Sequence, residues 1–447
     1  MYTLKKNTLD KIAQHNTSSG TIIVVIDDDP TGCQTIHGVK VATSWDSELL
    51  NQLLQSEKLF FLLANTRSVS GDEAEEANAE IVGNLLAVCP NTENIKIISR
   101  SDSTLRGHFF VESKILIDLL GPFDGLIFIP FFKEGGRVTK EDTHFVLQDG
   151  NYIPAHETEF AKDPLFSFQN SHLPSYIEEK SAGFWKKEDC LSITLEDIRS
   201  GGAELVAEKL MQAENNRPVI INSETYDDLE IATWGICLAE KQGKKFLYRT
   251  AASFVKTRGG ISSKEVFTPK EKTDKGLIVA GSFVQKTTDQ INYLKENIDL
   301  SEIVVEIDKI FENFSGYQQT ILGKIEQVLN LERTALMYTE RTLKKAGGEA
   351  EQLKAGKLIS DFISGVVNKL TVKPDFVIAK GGITSHDVAT KGLGIVCALV
   401  EGQVAPGVPI WKMGEESKFP GSYFIVFPGN VGEKESLCRV VLKFKNK

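Results

Sequence analysis

The sequence predicts an α/β protein of two domains, each a mainly parallel sheet flanked by helices. Three observations carry that prediction. Short apolar runs rich in Val, Ile and Phe recur along the chain, with helical patterns between several of them. That alternation sets strands side by side and uses helices as crossovers. The 447 residues exceed what one ordinary core accommodates. A polar stretch, KTRGGISSKEVFTPKEKTDK, lies between the two series of runs. Its Gly pair, Pro and repeated lysines suit an exposed linker. The expected organisation is a domain over 1–255, a linker and hinge over 256–275, and a second domain over 276–447.

In chain order, the first strand candidates are IIVVI at 22–26, KLFFLLAN at 58–65, IKIIS at 95–99, GLIFIPFF at 125–132 and PVIINS at 218–223. Residues 72–88 start with acids, which suit a helix N-terminus, and turn apolar toward their end. Residues 140–200 show only weak periodicity. The second series opens with GLIVAGS at 276–282. Thr287 and Gln290 then have capping-box spacing for a helix carrying Ile291, Leu294 and Ile298. TALMYT at 334–339 is another strand. Over 351–370, Leu358, Ile359, Phe362, Ile363, Val366, Val367 and Leu370 form one apolar helix face. DFVIAKGG and SYFIVFPGNVG supply two more strands with glycine-rich ends.

Composition narrows the function. A formal charge of −10 and a pI near 5.4 argue against a broad nucleic-acid surface. Six scattered cysteines without a CxxC pair read as reduced thiols rather than a zinc site. The N-terminal stretch lacks the apolar core of a secretory signal, and no run approaches a membrane span. The expectation is a soluble cytoplasmic protein with no membrane partner; a homodimer stays open.

Three polar clusters follow predicted strands: IDDDPTG at 26–32, ANTRS at 64–68 and RSDSTLRG at 100–107. A parallel sheet brings such carboxyl ends to one edge, where ligands bind. Aspartates beside arginines there suit a small acidic, hydroxylated substrate. Arginine grips the acid through paired donors, and an aspartate orients or deprotonates a hydroxyl. In the second half, Gly381 and Gly382 follow a strand, with Thr384 and Asp387 at capping-box spacing, and Gly429 follows another strand. Glycine turns of this kind let a phosphate approach the backbone. Neither is a Walker A motif or a GxGxxG fingerprint.

The ordered motifs DDDPTG, RSDSTLRG, GGRVT, YRTAASFV, AGSFVQKTTDQ, KGGITSHDVATKGLG, PGVPIW and FPGNVG together resemble the four-carbon acid sugar kinases over residues 21 to 437. The resemblance implies an N-terminal domain for the sugar acid, a C-terminal domain for ATP, and Mg²⁺-assisted transfer to a terminal hydroxyl. It implies threonate, erythronate or a 3-oxo form as substrate. Its motifs fall on Asp28 and Asp29 and on Asp102, Ser103 and Arg106. The mechanism expected from this has Asp28 or Asp29 as base, with substrate contacts at those last three and at Arg67, which its strand end places there. It places nucleotide contacts at Ser282, Gly381, Gly382, Ile383, Thr384 and Gly429, and it assigns no metal ligand. Domain closure would exclude water. Many relatives carry Lys-Ser before the last glycine, where this chain has Phe427 and Pro428, so a phosphate lysine is expected to be missing. Two rival readings remain. Asp27, Asp29 and Thr31 also match the DxDxT of aspartyl-phosphate phosphatases, with Asp27 as nucleophile. The other is a sensor or effector that binds sugar acid or nucleotide without turnover.

Overall fold

The computed structural model describes residues 7–281, 284–340, 349–429 and 431–446. It divides into two compact units, Met1–Ser263 and Lys264–Lys447.

The strands of the first unit are β1 (Ile22–Asp27), β2 (Val39–Ala42), β3 (Leu59–Leu63), β4 (Ile95–Arg100), β5 (Gly125–Ile129), β6 (Arg137–Lys140), β7 (Thr143–Gln148), β8 (Asn151–Pro154), β9 (Leu191–Ile193), β10 (Arg217–Ile221) and β11 (Phe246–Thr250). Its main sheet runs β2-β3-β1-β4-β11-β5-β10-β9, and every pairing within it is parallel. Parallel neighbours need crossover helices, and helices on both faces bury both sides of the strands. The side chains of β3 and β5 are accordingly buried without interruption. The helix Gly71–Val88 begins with a capping box between Ser70 and Glu73, then buries Ile81, Val82 and Leu85.

The weakly periodic region resolves into a small antiparallel sheet, β6-β7-β8, followed by short helical turns and the helix Leu173–Lys180. Its strands carry half-exposed faces, so neither a continuous apolar run nor clean alternation marks them.

The second unit contains β12 (Gly276–Ala280), β13 (Ser301–Val305), β14 (Ala335–Thr339), β15 (Phe376–Lys380), β16 (Cys397–Ala405), β17 (Val408–Met413) and β18 (Tyr423–Phe427). Their order is β13-β14-β12-β15-β18-β17-β16. The first five are parallel, and the hairpin strands β17 and β16 close the series in antiparallel fashion. The helix Glu349–Lys369 buries Phe362, Val366 and Val367, and Leu370 just past its end is buried as well, as the spacing predicts.

Three expectations need correction. The linker cannot begin at 256, because Lys256, Thr257 and Arg258 finish a buried helix, Ala252–Arg258, and Arg258 pairs with Glu240 at 2.8 Å. Thr287 does not cap its helix. The helix Gln285–Asn297 starts upstream of it, Thr287 is fully buried inside, and Gln290 donates to the Val431 and Glu433 carbonyls. Thr384 likewise lies within Gly382–Asp387. Gly381, at φ +103°, turns the chain from β15 into that helix without a side-chain cap.

Candidate functional site

In the first unit, β1 and β4 are neighbours, and β3 flanks β1 on its other side. Their carboxyl ends bring Asp27, Asp28 and Asp29 beside Arg67, Arg100 and Asp102. Arg100 Nε lies 3.0 Å from Asp27 Oδ1, and its Nη1 lies 2.7 Å from Asp28 Oδ1. Arg67 pairs with Asp29 and reaches Asp102 at 3.3 Å. Arg106 Nε donates to Asp102 Oδ2 at 2.7 Å and faces Asp163 at 3.5 Å. Asp27, Asp28, Asp29 and Arg100 are nearly or fully shielded from solvent, so each charge depends on its partner.

The three adjacent aspartates are not equivalent. Burial, against the pull of Arg100, pushes Asp27 up to about 8. Burial also raises Asp28, opposed by Arg67 and Arg100, while Glu112 and Asp29 add to the rise. At Asp29 burial is outweighed by Arg67, Arg100 and the Thr31 hydroxyl and N–H, which hold it below the usual carboxylate range. Asp102 is held low in the same way: Arg106, Arg67 and Thr104 overcome its burial. Asp28 Oδ2 is buried and has no hydrogen-bond partner among the described residues.

Two glycines shape this pocket. A Cβ on Gly32 would fall 2.0 Å from Asp27 Oδ2 and 2.1 Å from Arg100 Nε. The Asp27 carboxylate thus lies directly beneath the turn, against Arg100. Gly107, at φ +114°, lies next to Asp28 Oδ2, with 3.2 Å to a Cβ built there.

The loop from Asp102 to Gly107 is held from beyond the sheet. Leu105 sits at φ +68°, an unusual conformation for a branched residue. The Tyr176 hydroxyl donates to its carbonyl at 2.8 Å. His144, fully buried, contacts the Ser103 carbonyl through Nε2 at 2.8 Å and the Thr139 hydroxyl through Nδ1 at 2.9 Å. Burial lowers its pKa to about 4. The neutral ring therefore donates from Nε2 to Ser103 and accepts from Thr139. Sequence reasoning passed over both residues, since nothing local ties 144 or 176 to 103–105.

In the second unit, the turns after β12, β15 and β18 converge. A Cβ on Gly281 would lie 3.0 Å from Thr384 Oγ1, and one on Gly429 would lie 3.9 Å from Gly381 Cα. Gly381 N–H donates to the Phe427 carbonyl at 2.8 Å. Gly382 is half-buried and Ile383 is exposed beside it. Ser282 lies outside the described residues. A lysine from a neighbouring strand lies at the last glycine turn. Lys380, the final residue of β15, is fully buried and donates to the Pro428 carbonyl at 2.6 Å and toward that of Gly429 at 3.3 Å. Its ammonium also sits 4.5 Å over the Phe427 ring. Burial, with Lys286 nearby, lowers its pKa to about 7. A lysine ending an otherwise apolar strand was the signal available for it.

Backbone N–H groups and a buried ammonium are donors for anions, so these turns fit phosphates better than a cation. Among the described residues, no helix is long and apolar enough to cross a membrane.

Comparison with known proteins agrees with this division. Residues 23–258 match the family model of a sugar-binding N-terminal domain, and residues 277–437 match that of a nucleotide-binding C-terminal domain. A curated relative, the D-erythronate kinase of Heliobacterium modesticaldum, is 24% identical over 313 residues. The match takes in 66% of this chain and 65% of the length of that relative. Two crystal structures share the fold. A Haemophilus influenzae protein from a family of unknown function has a TM-score of 0.64 at 20% identity, covering 94% of this chain and 100% of its own. A putative tRNA synthase from Salmonella typhimurium has a TM-score of 0.68 at 16% identity, covering 95% and 99%.

Proposed function

The chain belongs to the four-carbon acid sugar kinase family, and we propose that it transfers the γ-phosphate of ATP to the terminal hydroxyl of a four-carbon sugar acid. Threonate, erythronate and their 3-oxo forms are the candidate substrates. The observation that carries this reading is the buried, unpartnered Asp28 Oδ2. A buried acceptor without a donor is costly to maintain, and a substrate hydroxyl would satisfy it.

Asp28 is the base in this reading. Its raised pKa moves its basicity toward neutrality, where proton acceptance from a hydroxyl is effective. The hydroxyl proton passes to Oδ2 while the oxygen bonds to the γ-phosphorus and the bond to ADP breaks. The proton then leaves to solvent. Arg100 holds the other carboxylate oxygen and fixes the direction of the base. Asp29, kept ionised, anchors Arg67 instead of moving a proton. Asp102, Ser103, Arg67 and Arg106 line the acid-binding side. Gly381, Gly382, Ile383, Thr384 and Gly429 surround the nucleotide phosphates with Lys380, and Ser282 joins them on the family resemblance. Mg²⁺ bound with the nucleotide would supply neutralisation of phosphate charge. No residue of this chain is assigned to it.

The test is ADP release from Mg-ATP with a panel of D- and L-threonate, D- and L-erythronate and the 3-oxo acids. Turnover with one acid supports the reading. ATP binding and acid binding without ADP release would replace it with the sensor.

A further inference from the structure

Each of the other arginines at the acid-binding end of the first unit already has a carboxylate. Arg100 holds Asp27 and Asp28, Arg67 holds Asp29 and Asp102, Arg106 holds Asp102, and Arg249 holds Glu112. Arg137 does not. Its Nη1 donates to the Gly135 carbonyl, and its Nε is buried with no hydrogen-bond partner. Among the described residues no carboxylate pairs with it.

Its position is fixed by β6. Arg137 and Thr139 are two residues apart on that strand and so share a face. Thr139 faces His144, which holds the Ser103 carbonyl, so this face looks toward the Asp102–Gly107 loop. The Arg137 guanidinium lies 5.9 Å from the Phe160 ring, and Arg106 lies over the same ring at 5.2 Å. The two guanidinium groups share one ring, but Arg106 has Asp102 and Asp163 as partners, while Arg137 has no carboxylate within ion-pair distance among the described residues. Burial weakens the hold of Arg137 on its proton; the Asp102 charge opposes this, and the Arg106 charge adds to it more weakly. A small anion beside Arg137 would relieve this.

We propose that Arg137 takes the carboxylate of the substrate and thereby makes the site select an acid over an uncharged polyol. Arg67 and Arg106 then act by orienting Asp29 and Asp102, while Arg137 offers the unspent donors. This rests on the reading of the first unit as the acid-binding one. A guanidinium presents paired N–H groups matched to a carboxylate, which lysine cannot reproduce.

The experiment compares wild type, Arg137→Gln and Arg137→Lys on the preferred acid and on its uncharged primary amide. KM for ATP is followed as a separate readout. The preference for acid over amide should fall ~100-fold in Arg137→Gln, the scale expected when one side of a buried charge pair is removed. Arg137→Lys should fall between, and KM for ATP should stay within about twofold. If Arg137→Gln does not fold, the Arg137→Lys preference decides. A preference that moves less than about threefold, or equal losses on acid and amide, would overturn the proposal. The kinase reading fails separately. If wild type binds the acid in a calorimetric titration but releases no ADP, the same ~100-fold loss of acid affinity in Arg137→Gln still supports Arg137. If wild type prefers the amide or polyol, Arg137 is overturned while the kinase stands.

Discussion

Arg100 Nη1 reaches Asp28 Oδ1 at 2.7 Å and leaves Oδ2 of the same carboxylate buried and unpartnered. One oxygen sets the orientation and the other is left to work. Asp28→Asn keeps the shape and removes the basic oxygen. It should lower kcat ~10²–10⁴-fold, the usual contribution of a general base, with KM for ATP little changed. Asp29→Asn should act differently, because Asp29 anchors Arg67. Its main effect should be a higher KM for the acid. Steady-state ADP release on both variants checks the split. Equal kcat losses would return the choice of base to both residues.

Tyr176 and His144 support the substrate loop from a distance, through the Leu105 and Ser103 carbonyls. Tyr176→Phe removes one buried hydrogen bond and should cost about 1 kcal/mol. His144→Ala should cost more, since it also opens a cavity and strands the Thr139 hydroxyl. Both should raise KM for the acid while leaving KM for ATP unchanged. Thermal unfolding paired with substrate titration measures this. A stability loss with unchanged acid KM would show that other contacts hold the loop.

The parallel core was legible because its strands are continuous apolar runs: IIVVID and LFFLL bury almost every side chain. The acidic cluster was legible for the opposite reason, since three aspartates after such a run have no ordinary use. His144 and Tyr176 were not, because their contacts join residues about forty to seventy apart, and Arg137 was not, because it sits on a short strand with a half-exposed face. One local signal did exist there. Asp149 and Gly150, both at positive φ, form the tight turn between β7 and β8 that an Asp-Gly pair favours. The capping-box spacings at Thr287 and Thr384 misled. A hydroxyl three residues before an acid or amide also occurs inside a helix, where burial or another partner claims it.

Gly32 tests how tightly the acidic turn is packed. A methyl group there meets two buried, mutually paired side chains at 2.0–2.4 Å, and neither can swing away without losing its partner. Gly32→Ala should therefore destabilise by at least the 1–3 kcal/mol typical of overpacking and abolish turnover. Gly83→Ala is the control. Gly83 lies in the helix Gly71–Val88 with open space around it, so the change should stabilise by ~0.4–1 kcal/mol. Chemical denaturation of both variants gives the comparison. A tolerated Gly32→Ala would show that the Asp27–Arg100 pair can yield.

Lys380 should make stability and nucleotide affinity depend on pH with opposite signs. Its folded pKa is near 7 against 10.5 when free. Between those values the unfolded chain therefore binds more protons than the folded one. Stability of the ligand-free protein should then rise from pH 7 toward 10.5. Bound phosphate instead favours the ammonium, so nucleotide affinity should decline as pH climbs above about 7. Lys380→Met removes both slopes, since it fills a similar volume without a charge. It should also weaken ADP binding at pH 7 by ~10-fold, as expected for losing a charge-assisted hydrogen bond. Melting temperature against pH, with and without ADP, reads all three effects. Unchanged slopes in Lys380→Met would mean that the ammonium neither titrates in this range nor meets the phosphate.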